Sequence, residues 1–173
     1  MRNNFTKAFL LAAVFLFAAA CGAKKYPLTP DGNAQYLADN KQKPGVVTLT
    51  DGLQYRIIAK GNGRGNTPTD RGDSLTVSYT GSLVDGTIFD QTKPGETATM
   101  DAGDTPPGWL EVLERMQEGD EYELVVPAKL GYGAAGSNKV PPNATLIYRL
   151  KLISMVRVDA EPDEEGPRAP AGH

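Results

Sequence analysis

The chain has 173 residues, of which 40% are hydrophobic, 23% charged and 8% aromatic, and its formal net charge is −3. This composition predicts one globular domain, excludes collagen-like, coiled-coil and wholly disordered proteins, and lacks the basic excess of a nucleic-acid-binding protein. Cysteine and histidine occur once each, as Cys21 and His173. An intramolecular disulfide, a Cys/His zinc site, a Ser-His-Asp triad and a Cys-His dyad are therefore excluded, and we expect no metal site and no cofactor.

Residues 1–20 are predicted to be a cleaved signal peptide. A basic start with Arg2 and Lys7 precedes an apolar run from Ala8 to Ala20. As a helix this run would be about 20 Å long, which is too short for the roughly 30 Å hydrocarbon core of a bilayer. The segment Ala18-Ala19-Ala20-Cys21 resembles a bacterial lipobox, in which the cysteine is lipidated and becomes the mature N-terminus.

Cys21 favours a lipoprotein, because the chain's single thiol stands where small residues end the apolar run. An ordinary secretory signal peptide with an incidental cysteine is the alternative. Lipidation predicts attachment to a membrane of a bacterial cell envelope, with the domain facing the periplasm. Residues 21–45 lack sustained periodicity and are predicted to be a flexible tether, while the acidic, proline-rich residues 159–173 are predicted to be a disordered tail.

Residues 46–158 are long enough for one hydrophobic core, and strand patterns dominate them. A strand is predicted from Leu53 to Lys60, and three further segments alternate apolar with more polar side chains. The Asp85-Gly86 pair is a strong hairpin-turn signal, and Asn143 is also predicted to lie in a turn. The alternating apolar sets are Leu75, Val77 and Tyr79; Tyr122, Leu124 and Val126; and Leu146, Tyr148, Leu150 and Leu152.

One segment has helical spacing. Trp109, Leu113 and Met116 follow one another at i, i+4 and i+7. Pro107 fits the first turn of a helix, and Gly119 supplies a terminator. One short helix among antiparallel strands predicts the α+β class. We expect a twisted antiparallel sheet, a half-barrel, wrapped around this helix, since so short a helix needs such packing to be stable in water.

Two further motifs are better explained by turns than by chemistry. Gly61-x-Gly63-x-Gly65 lacks the helix that a dinucleotide-binding loop requires directly after its glycines, so we expect it to connect two strands. Asp85 and Asp90 could form a glycosidase carboxylate pair, but Asp85 belongs to the predicted hairpin turn. Only Asp90 keeps a functional interpretation.

Four motifs follow one another in the predicted domain, with a Gly119-Asp120 step between the second and the third. They are Gly72-Asp73-x4-Ser78-Tyr79-Thr80-Gly81-x-Leu83-x-Asp85-Gly86-x2-Phe89-Asp90, Gly108-Trp109-x-Glu111, Gly131-Tyr132-Gly133 and Val140-Pro141-Pro142-Asn143-Ala144-Thr145-Leu146. Together they resemble the FKBP-type peptidyl-prolyl cis-trans isomerases, whose fold is an antiparallel sheet wrapped around one short helix. The resemblance implies isomerisation of X-Pro bonds in proline-containing exported polypeptides, without a metal or a nucleophile.

The resemblance also implies roles for particular residues. Asp90 corresponds to a buried aspartate beside the reacting amide, Trp109 to the pocket floor, and Tyr132 to a tyrosine whose hydroxyl bonds a ligand carbonyl; these three are the implied catalytic residues. The implied substrate-binding residues are Tyr79, Phe89, Met100, Pro106, Val140 and Tyr148.

Four positions depart from the family's pattern. Ala98 stands where a wall phenylalanine is usual, and Met100 stands in for an aromatic residue. Tyr148 replaces a phenylalanine at the pocket base, and Pro106 lacks the backbone N–H that usually bonds the ligand. We therefore expect modest catalysis and weak binding of rapamycin-like macrolides. The alternatives are an FKBP-like peptide-binding or chaperone module without catalysis, and a structural or carbohydrate-binding β-lipoprotein.

Overall fold

A computed structural model of the chain describes residues 25–62, 71–106 and 108–157. The predicted signal peptide, Cys21, most of the glycine-rich turn and the predicted tail lie outside the described residues. No helix within the described ranges is long and apolar enough to span a bilayer. In chain order the elements are α1 (Pro30–Asn40), β1 (Val46–Thr48), β2 (Gln54–Ala59), β3 (Ser74–Leu83), β4 (Ile88–Gln91), β5 (Ala98–Asp101), a 3-10 turn (Ala102–Asp104), α2 (Trp109–Leu113), β6 (Glu121–Val126), a 3-10 turn (Ala128–Leu130) and β7 (Leu146–Val156).

The strands form one antiparallel sheet. Its order is β1-β2-β6-β7-β3-β4, and β5 pairs with the part of β3 that β4 does not reach. The central pair is β3 with β7, whose register runs from Ser74 opposite Val156 to Leu83 opposite Leu146. Because β3 is ten residues long and pairs with three strands, it fixes the position of each of them.

α2 packs on one face of this sheet, and the predicted α+β class is confirmed. The helix is shorter than its spacing indicates, because the N–H groups of Arg115 and Met116 bond three residues back, at 2.9 Å each, and so tighten the chain into a turn. Trp109, Leu113 and Met116 nevertheless have no exposed surface. The core they enter is built from the predicted alternating sets, including Leu75, Val77, Leu124, Val126, Leu146, Leu150 and Leu152.

The two predicted turns are also confirmed. Asp85 accepts the N–H of Thr87 at 2.8 Å, and Gly86 adopts a positive φ of 91°. Asn143 has a φ of 58°, a left-handed conformation that asparagine tolerates better than most residues with a side chain.

α1 shows that the prediction of a flexible tether is wrong for residues 30–40, which form a helix. The side chain of Thr29 caps its N-terminus by accepting the N–H of Gly32 at 3.1 Å, and Pro30 occupies the first turn. Tyr26 packs edge-on against Tyr36, with ring centroids 5.0 Å apart. These contacts order a segment whose composition resembles a linker.

α1 lies on the sheet face opposite α2. Gln54 and Val125 are cross-strand partners and so share a face, whereas Leu124, next to Val125, points into the core beneath α2. Asn40 donates to the Gln54 side chain at 2.8 Å, and Gln54 donates to the carbonyl of Leu37 at 3.0 Å. Hydrogen bonds between buried polar groups therefore hold this helix on the sheet.

A substitution at Asn33 tests whether α1 is docked in solution. The Asn33 side-chain oxygen accepts the buried N–H of Thr145 at 2.9 Å. Asn33→Ala should lower the free energy of unfolding by about 1–3 kcal/mol, because that N–H is left without an acceptor. Asn33 also donates to the Thr29 carbonyl at 3.0 Å in the first turn of α1, but alanine favours helices more than asparagine does and offsets that loss, so a drop in stability reports mainly lost docking.

The measurement is denaturant unfolding followed by circular dichroism, with Gln35→Ala as the matched control. Gln35 lies on the same helix and is exposed, with its side chain bonded only to Asp39 within α1, so its removal should change stability by about 0.5 kcal/mol or less. A neutral or stabilising Asn33→Ala would restore the flexible-tether interpretation.

Asp120 organises the turn that precedes β6. Its side chain is buried and accepts the N–H groups of Gly61 at 2.7 Å and Gln117 at 3.1 Å, and it pairs with Lys60 at 3.0 Å. Burial by itself raises the pKa of this carboxyl, but the two backbone N–H groups and Lys60 outweigh it, so the pKa of Asp120 lies below its ordinary value.

Asp120→Asn should lower the free energy of unfolding by about 1.5–3 kcal/mol at neutral pH, because hydrogen bonds to a charged acceptor are lost. The lowered pKa makes this stabilisation complete above the unfolded-state pKa of about 3.9 and removes it as the pH falls through the folded-state pKa. The difference in the free energy of unfolding between wild type and Asp120→Asn should therefore become smaller in acid, as measured by denaturant unfolding across pH. A difference that stays constant with pH would contradict this account. The control is Glu96→Gln, which removes a charge from an exposed ion pair with Lys93 and should change stability little at any pH.

Candidate functional site

An aromatic cluster lies where β3, β4 and β7 meet the start of α2. Trp109 is at its centre, edge-on to Tyr79 with centroids 5.1 Å apart and edge-on to Tyr148 at 5.2 Å. Phe89 meets Tyr148 edge-on at 5.6 Å. Trp109 and Tyr148 are fully buried, and Phe89 is 7% exposed. Because edge-to-face contacts are a preferred arrangement of aromatic rings, four rings from four elements form one apolar wall and floor.

Gly81 on β3 allows the cluster to close. It lies opposite Tyr148 on β7 and opposite Asp90 on β4. A Cβ at this position would stand 2.8 Å from Cζ of Phe89 and 2.9 Å from Cε1 of Tyr148, which is closer than real atoms approach. The absence of a side chain therefore lets the two rings meet over the strand.

Asp90 stands at the open side of the cluster. The Tyr79 hydroxyl donates to its carboxylate at 2.7 Å, and the N–H of Gln91 donates to its other oxygen at 3.0 Å. Asp90 is exposed, which corrects the expectation of a buried aspartate: β4 is an edge strand, and the residue lies on its open side. Burial, followed by the hydrogen bond to Asp90, raises the pKa of Tyr79, so this hydroxyl keeps its proton at physiological pH.

Tyr132 and Val140 lie in the segment between β6 and β7. The N–H of Gly136 bonds the carbonyl of Tyr132 at 3.1 Å, and the N–H of Ser137 bonds the carbonyl of Val140 at 2.8 Å, so the backbone of this loop is tied to itself. Val140 is 3% exposed and belongs to the core, whereas Tyr132 is half-buried and packs against it. The loop thus places one aliphatic and one phenolic side chain at the edge of the cluster.

The segment before α2 sets the position of Trp109. Gly108 has a φ of 84°, and a Cβ there would stand 2.8 Å from a methyl group of Val126. Pro106 is half-buried, and its carbonyl accepts the N–H of Trp109 at 3.1 Å. With Leu110 and neighbouring residues, Pro106 lines a hollow of about 250 Å³. Pro106 therefore lies beside the cluster and is joined to it through the backbone.

β5 contributes two half-buried side chains. Ala98 pairs with Val77 of β3, and Met100 pairs with Leu75. Both pack against the core on the side of β3 that is away from β7. Met100 therefore lies on the strand next to the aromatic cluster. Ala98, on the same strand, contributes a methyl group and no aromatic ring.

Two buried polar atoms at the base of the cluster have no hydrogen-bond partner of ordinary geometry in the described structure, the indole nitrogen of Trp109 and the hydroxyl of Tyr148. Burial raises the pKa of Tyr148, and nearby Tyr132, Asp90 and Tyr79 raise it further. The same Tyr132 also contributes to the raised pKa of Tyr79. Tyr132 therefore contributes to the electrostatics of both hydroxyls.

The site thus joins an apolar floor to a rim of hydroxyl groups and one carboxylate. Such a site can bury an apolar ring and orient a carbonyl group. Among the described residues, no group of three His, Cys, Asp or Glu side chains is arranged to hold a metal ion. Gly81 was not a predicted site residue, although a glycine within an alternating strand is a signal of close approach.

Two family models match the chain. The model described as FKBP-type peptidyl-prolyl cis-trans isomerase matches residues 65–153. The model described as the domain amino terminal to FKBP-type peptidyl-prolyl isomerase matches residues 18–57, a range that includes α1, β1 and part of β2.

Curated relatives agree with these matches. Outer membrane protein MIP of Legionella longbeachae is 45% identical over 122 residues, which cover 69% of this chain and 51% of that protein. Peptidyl-prolyl cis-trans isomerase Mip of Coxiella burnetii is 42% identical over 122 residues, which cover 69% of this chain and 52% of that protein. The chain therefore spans about half the length of these curated relatives.

Solved structures share the fold. The crystal structure of a peptidyl-prolyl cis-trans isomerase from Pseudomonas syringae pv. tomato has a TM-score of 0.66 and 30% identity, covering 73% of this chain and 92% of that one. FkpA from Escherichia coli has a TM-score of 0.67 and 32% identity, covering 72% of this chain and 58% of that one. Since family model, relatives and fold all agree, this chain belongs to the FKBP-type peptidyl-prolyl cis-trans isomerase family.

Proposed function

We propose that this chain catalyses cis–trans isomerisation of X-Pro bonds in proline-containing polypeptides. The observation that carries the proposal is the fully buried Trp109 beneath a hydrogen-bonded Tyr79–Asp90 pair. An apolar ring such as that of proline fits against an aromatic floor, and the polar groups at the rim stand where a peptide backbone would lie. Membership of the family supports the same activity.

The chemistry requires no covalent intermediate. The barrier to rotation about an X-Pro bond, roughly 18–20 kcal/mol, arises from amide resonance, which places partial charges on the planar amide. A site that excludes water disfavours that charge-separated planar form relative to the twisted one, and oriented dipoles stabilise the carbonyl of the twisted form. Protein groups of the kinds found here are sufficient for this purpose.

We assign the roles as follows. Trp109 supports the proline ring from below, the Tyr132 hydroxyl donates to the substrate carbonyl, and the Asp90 carboxylate acts on the twisted amide from the open side. The proposed substrate-binding residues are Tyr79, Phe89, Met100, Pro106, Val140 and, at the base of the pocket, Tyr148.

Two residues limit the proposed activity. Pro106 has no N–H to offer a ligand carbonyl, and the small side chain of Ala98 leaves the pocket wide on the β5 side. We therefore propose modest catalysis of short peptides and weak affinity for rapamycin-like macrolides. The same two residues favour the second candidate function, a peptide-binding module of the same fold without catalysis.

For the cellular setting, we propose that the chain is a lipoprotein of a bacterial envelope that faces the periplasm and acts on exported polypeptides. The support is the basic start, the short apolar run and the small residues before Cys21. One similar protein is named an outer membrane protein.

The activity is tested by exchange NMR of a peptide containing a Leu-Pro bond, whose uncatalysed isomerisation takes tens to hundreds of seconds. Wild type should accelerate the exchange, and Asp90→Ala should lower kcat/KM at least tenfold while leaving stability within about 0.5 kcal/mol, because Asp90 is exposed. Trp109→Leu should also lower kcat/KM at least tenfold, because it removes the pocket floor.

The matched control is Leu113→Ala, on the same helix as Trp109. It should cost about 2–5 kcal/mol of stability by opening a cavity, yet retain kcat/KM at temperatures where circular dichroism shows it folded. A wild type that binds the peptide without accelerating exchange would favour the binding module. Folded Asp90→Ala and Trp109→Leu variants with wild-type kcat/KM would show that the site is assigned wrongly.

Cys21→Ser tests the proposed anchor. Because a single acyl chain binds membranes only marginally, the mature wild type should carry more than one chain, which is detectable by intact mass, and it should remain in the membrane fraction. The variant should lose both the added mass and the processing that accompanies it. Equal processing and equal membrane association of the two proteins would support an ordinary signal peptide with an incidental cysteine.

A further inference from the structure

The backbone N–H of Thr145 is bonded by a side chain and not by a strand. Thr145 precedes Leu146, the residue of β7 at which the pairings with Val126 of β6 and Leu83 of β3 both end. It therefore lies beyond the sheet ladder, yet it is only 1% exposed. A buried N–H without an acceptor is costly, and the side-chain oxygen of Asn33 on α1 accepts this one at 2.9 Å.

The segment that leads to Thr145 is closed across its base by hydrogen bonds. It begins after the 3-10 turn Ala128–Leu130. The N–H of Asn143 donates to the Gly133 carbonyl at 2.8 Å, and the N–H of Gly133 donates to the Ala128 carbonyl at 2.9 Å. Gly133 directly follows Tyr132 in the chain. The backbone position of Tyr132 therefore depends on where Asn143 is held.

α1 reaches Tyr132 through two successive hydrogen bonds. Asn33 fixes Thr145, and Asn143, just before it in the chain, fixes Gly133 beside Tyr132. Asn143 adopts a left-handed conformation with a φ of 58°, so the chain between the two bonds is sharply turned. Catalysis depends on the position of a reacting group to within a fraction of an ångström. Release of Thr145 should therefore affect the site as well as the docking of the helix.

The opposite end of α1 is docked by a bond of the same kind that does not lead to the site. Asn40 donates to the Gln54 side chain on β2 at 2.8 Å, and both residues are buried. Asn33 is likewise a buried amide, at 8% exposure. The two asparagines thus share the task of holding the helix, and only Asn33 bonds the segment that carries Tyr132.

We propose that Asn33 is a positioning residue for Tyr132: it holds the end of the segment 131–145 and so sets where the Tyr132 hydroxyl lies at the rim of the pocket. The inference rests on the proposed isomerase activity and on the proposed role of Tyr132 in it. Asn33 lies on the sheet face opposite α2 and the aromatic cluster, so it acts through this segment and not on the substrate. α1 is then a working part of the isomerase unit.

The test is isomerisation of the Leu-Pro peptide at temperatures where circular dichroism shows each variant folded. Asn33→Ala should lower kcat/KM about three- to tenfold, because the segment is no longer held in its reacting position. Asn33→Asp keeps an oxygen that can accept the Thr145 N–H, so its kcat/KM should stay within about twofold of wild type even if its Tm falls. In the Tyr132→Phe background, Asn33→Ala should change kcat/KM less than about twofold, because the hydroxyl to be positioned is absent.

Asn40→Ala is the matched control. It removes the buried amide bond at the other end of α1, so it should lower Tm as Asn33→Ala does and leave kcat/KM within about twofold of wild type. Hydrogen exchange gives a second readout that does not depend on activity. The Asn143 amide should exchange faster in Asn33→Ala than in Asn40→Ala, because its bond to Gly133 opens more often once Thr145 is released.

The inference is overturned if a folded Asn33→Ala retains wild-type kcat/KM, or if it lowers kcat/KM equally in both Tyr132 backgrounds. It is also overturned if Asn40→Ala matches Asn33→Ala in kcat/KM or in the exchange of the Asn143 amide. An inactive wild type would overturn the proposed function as well, whereas an active wild type with an unaffected Asn33→Ala overturns this inference alone.

Discussion

The burial of Trp109 between α2 and the sheet is the interaction on which the rest of the structure depends. A helix of five residues is not stable in water by itself, so its packing must hold it in place. The indole side chain alone buries on the order of 150–250 Å², worth roughly 4–6 kcal/mol of hydrophobic stabilisation. Because the same ring is the floor of the candidate site, the site cannot be reshaped there without disturbing the core.

The second constraint is the geometry of β3. Gly81 faces Tyr148 across one strand pairing and Asp90 across the other, so the base of the site and its open side flank a single residue. Neighbouring strands lie about 4.8 Å apart, which sets the separation of the β7 and β4 backbones across Gly81 at about 10 Å. The width of the site is thus a property of the sheet, and the side chains fill a space that hydrogen bonding has already defined.

The sequence predicts the parts of the fold whose signal is apolar alternation. The sets around Val77, Leu124 and Leu150 are buried as their period of two indicates, since a half-buried strand must alternate. The short strand β4 carries no such pattern, and the alternation in β5 extends over only four residues. α1 was missed because its docking depends on buried amides, Asn40 with Gln54, and hydropathy does not report such contacts. Its sequence signal was local, a capping threonine followed by proline.

The candidate site, like the fold, could be predicted from the sequence only in part. The resemblance to the FKBP family implied residues that the structure joins by direct contact, including Tyr79, Phe89, Asp90 and Trp109. The resemblance implied a buried aspartate at Asp90, which was wrong because β4 is an edge strand and leaves this carboxylate exposed. The sequence also does not predict that the Tyr148 hydroxyl lacks an ordinary hydrogen-bond partner. A departure from a family's pattern identifies the changed residue but not the side chains that surround it in the fold.

The N-terminal helix extends the structural support of the site to the opposite face of the sheet. Asn33 bonds the backbone at Thr145, which is the end of the segment that carries Tyr132 and Val140 and the beginning of β7. Gln54 ties the other end of α1 to β2. Tyr132 lies near the start of that segment, just after the 3-10 turn Ala128–Leu130, and its carbonyl accepts the N–H of Gly136. Contacts on both faces of the sheet therefore support the segment that carries the Tyr132 side chain.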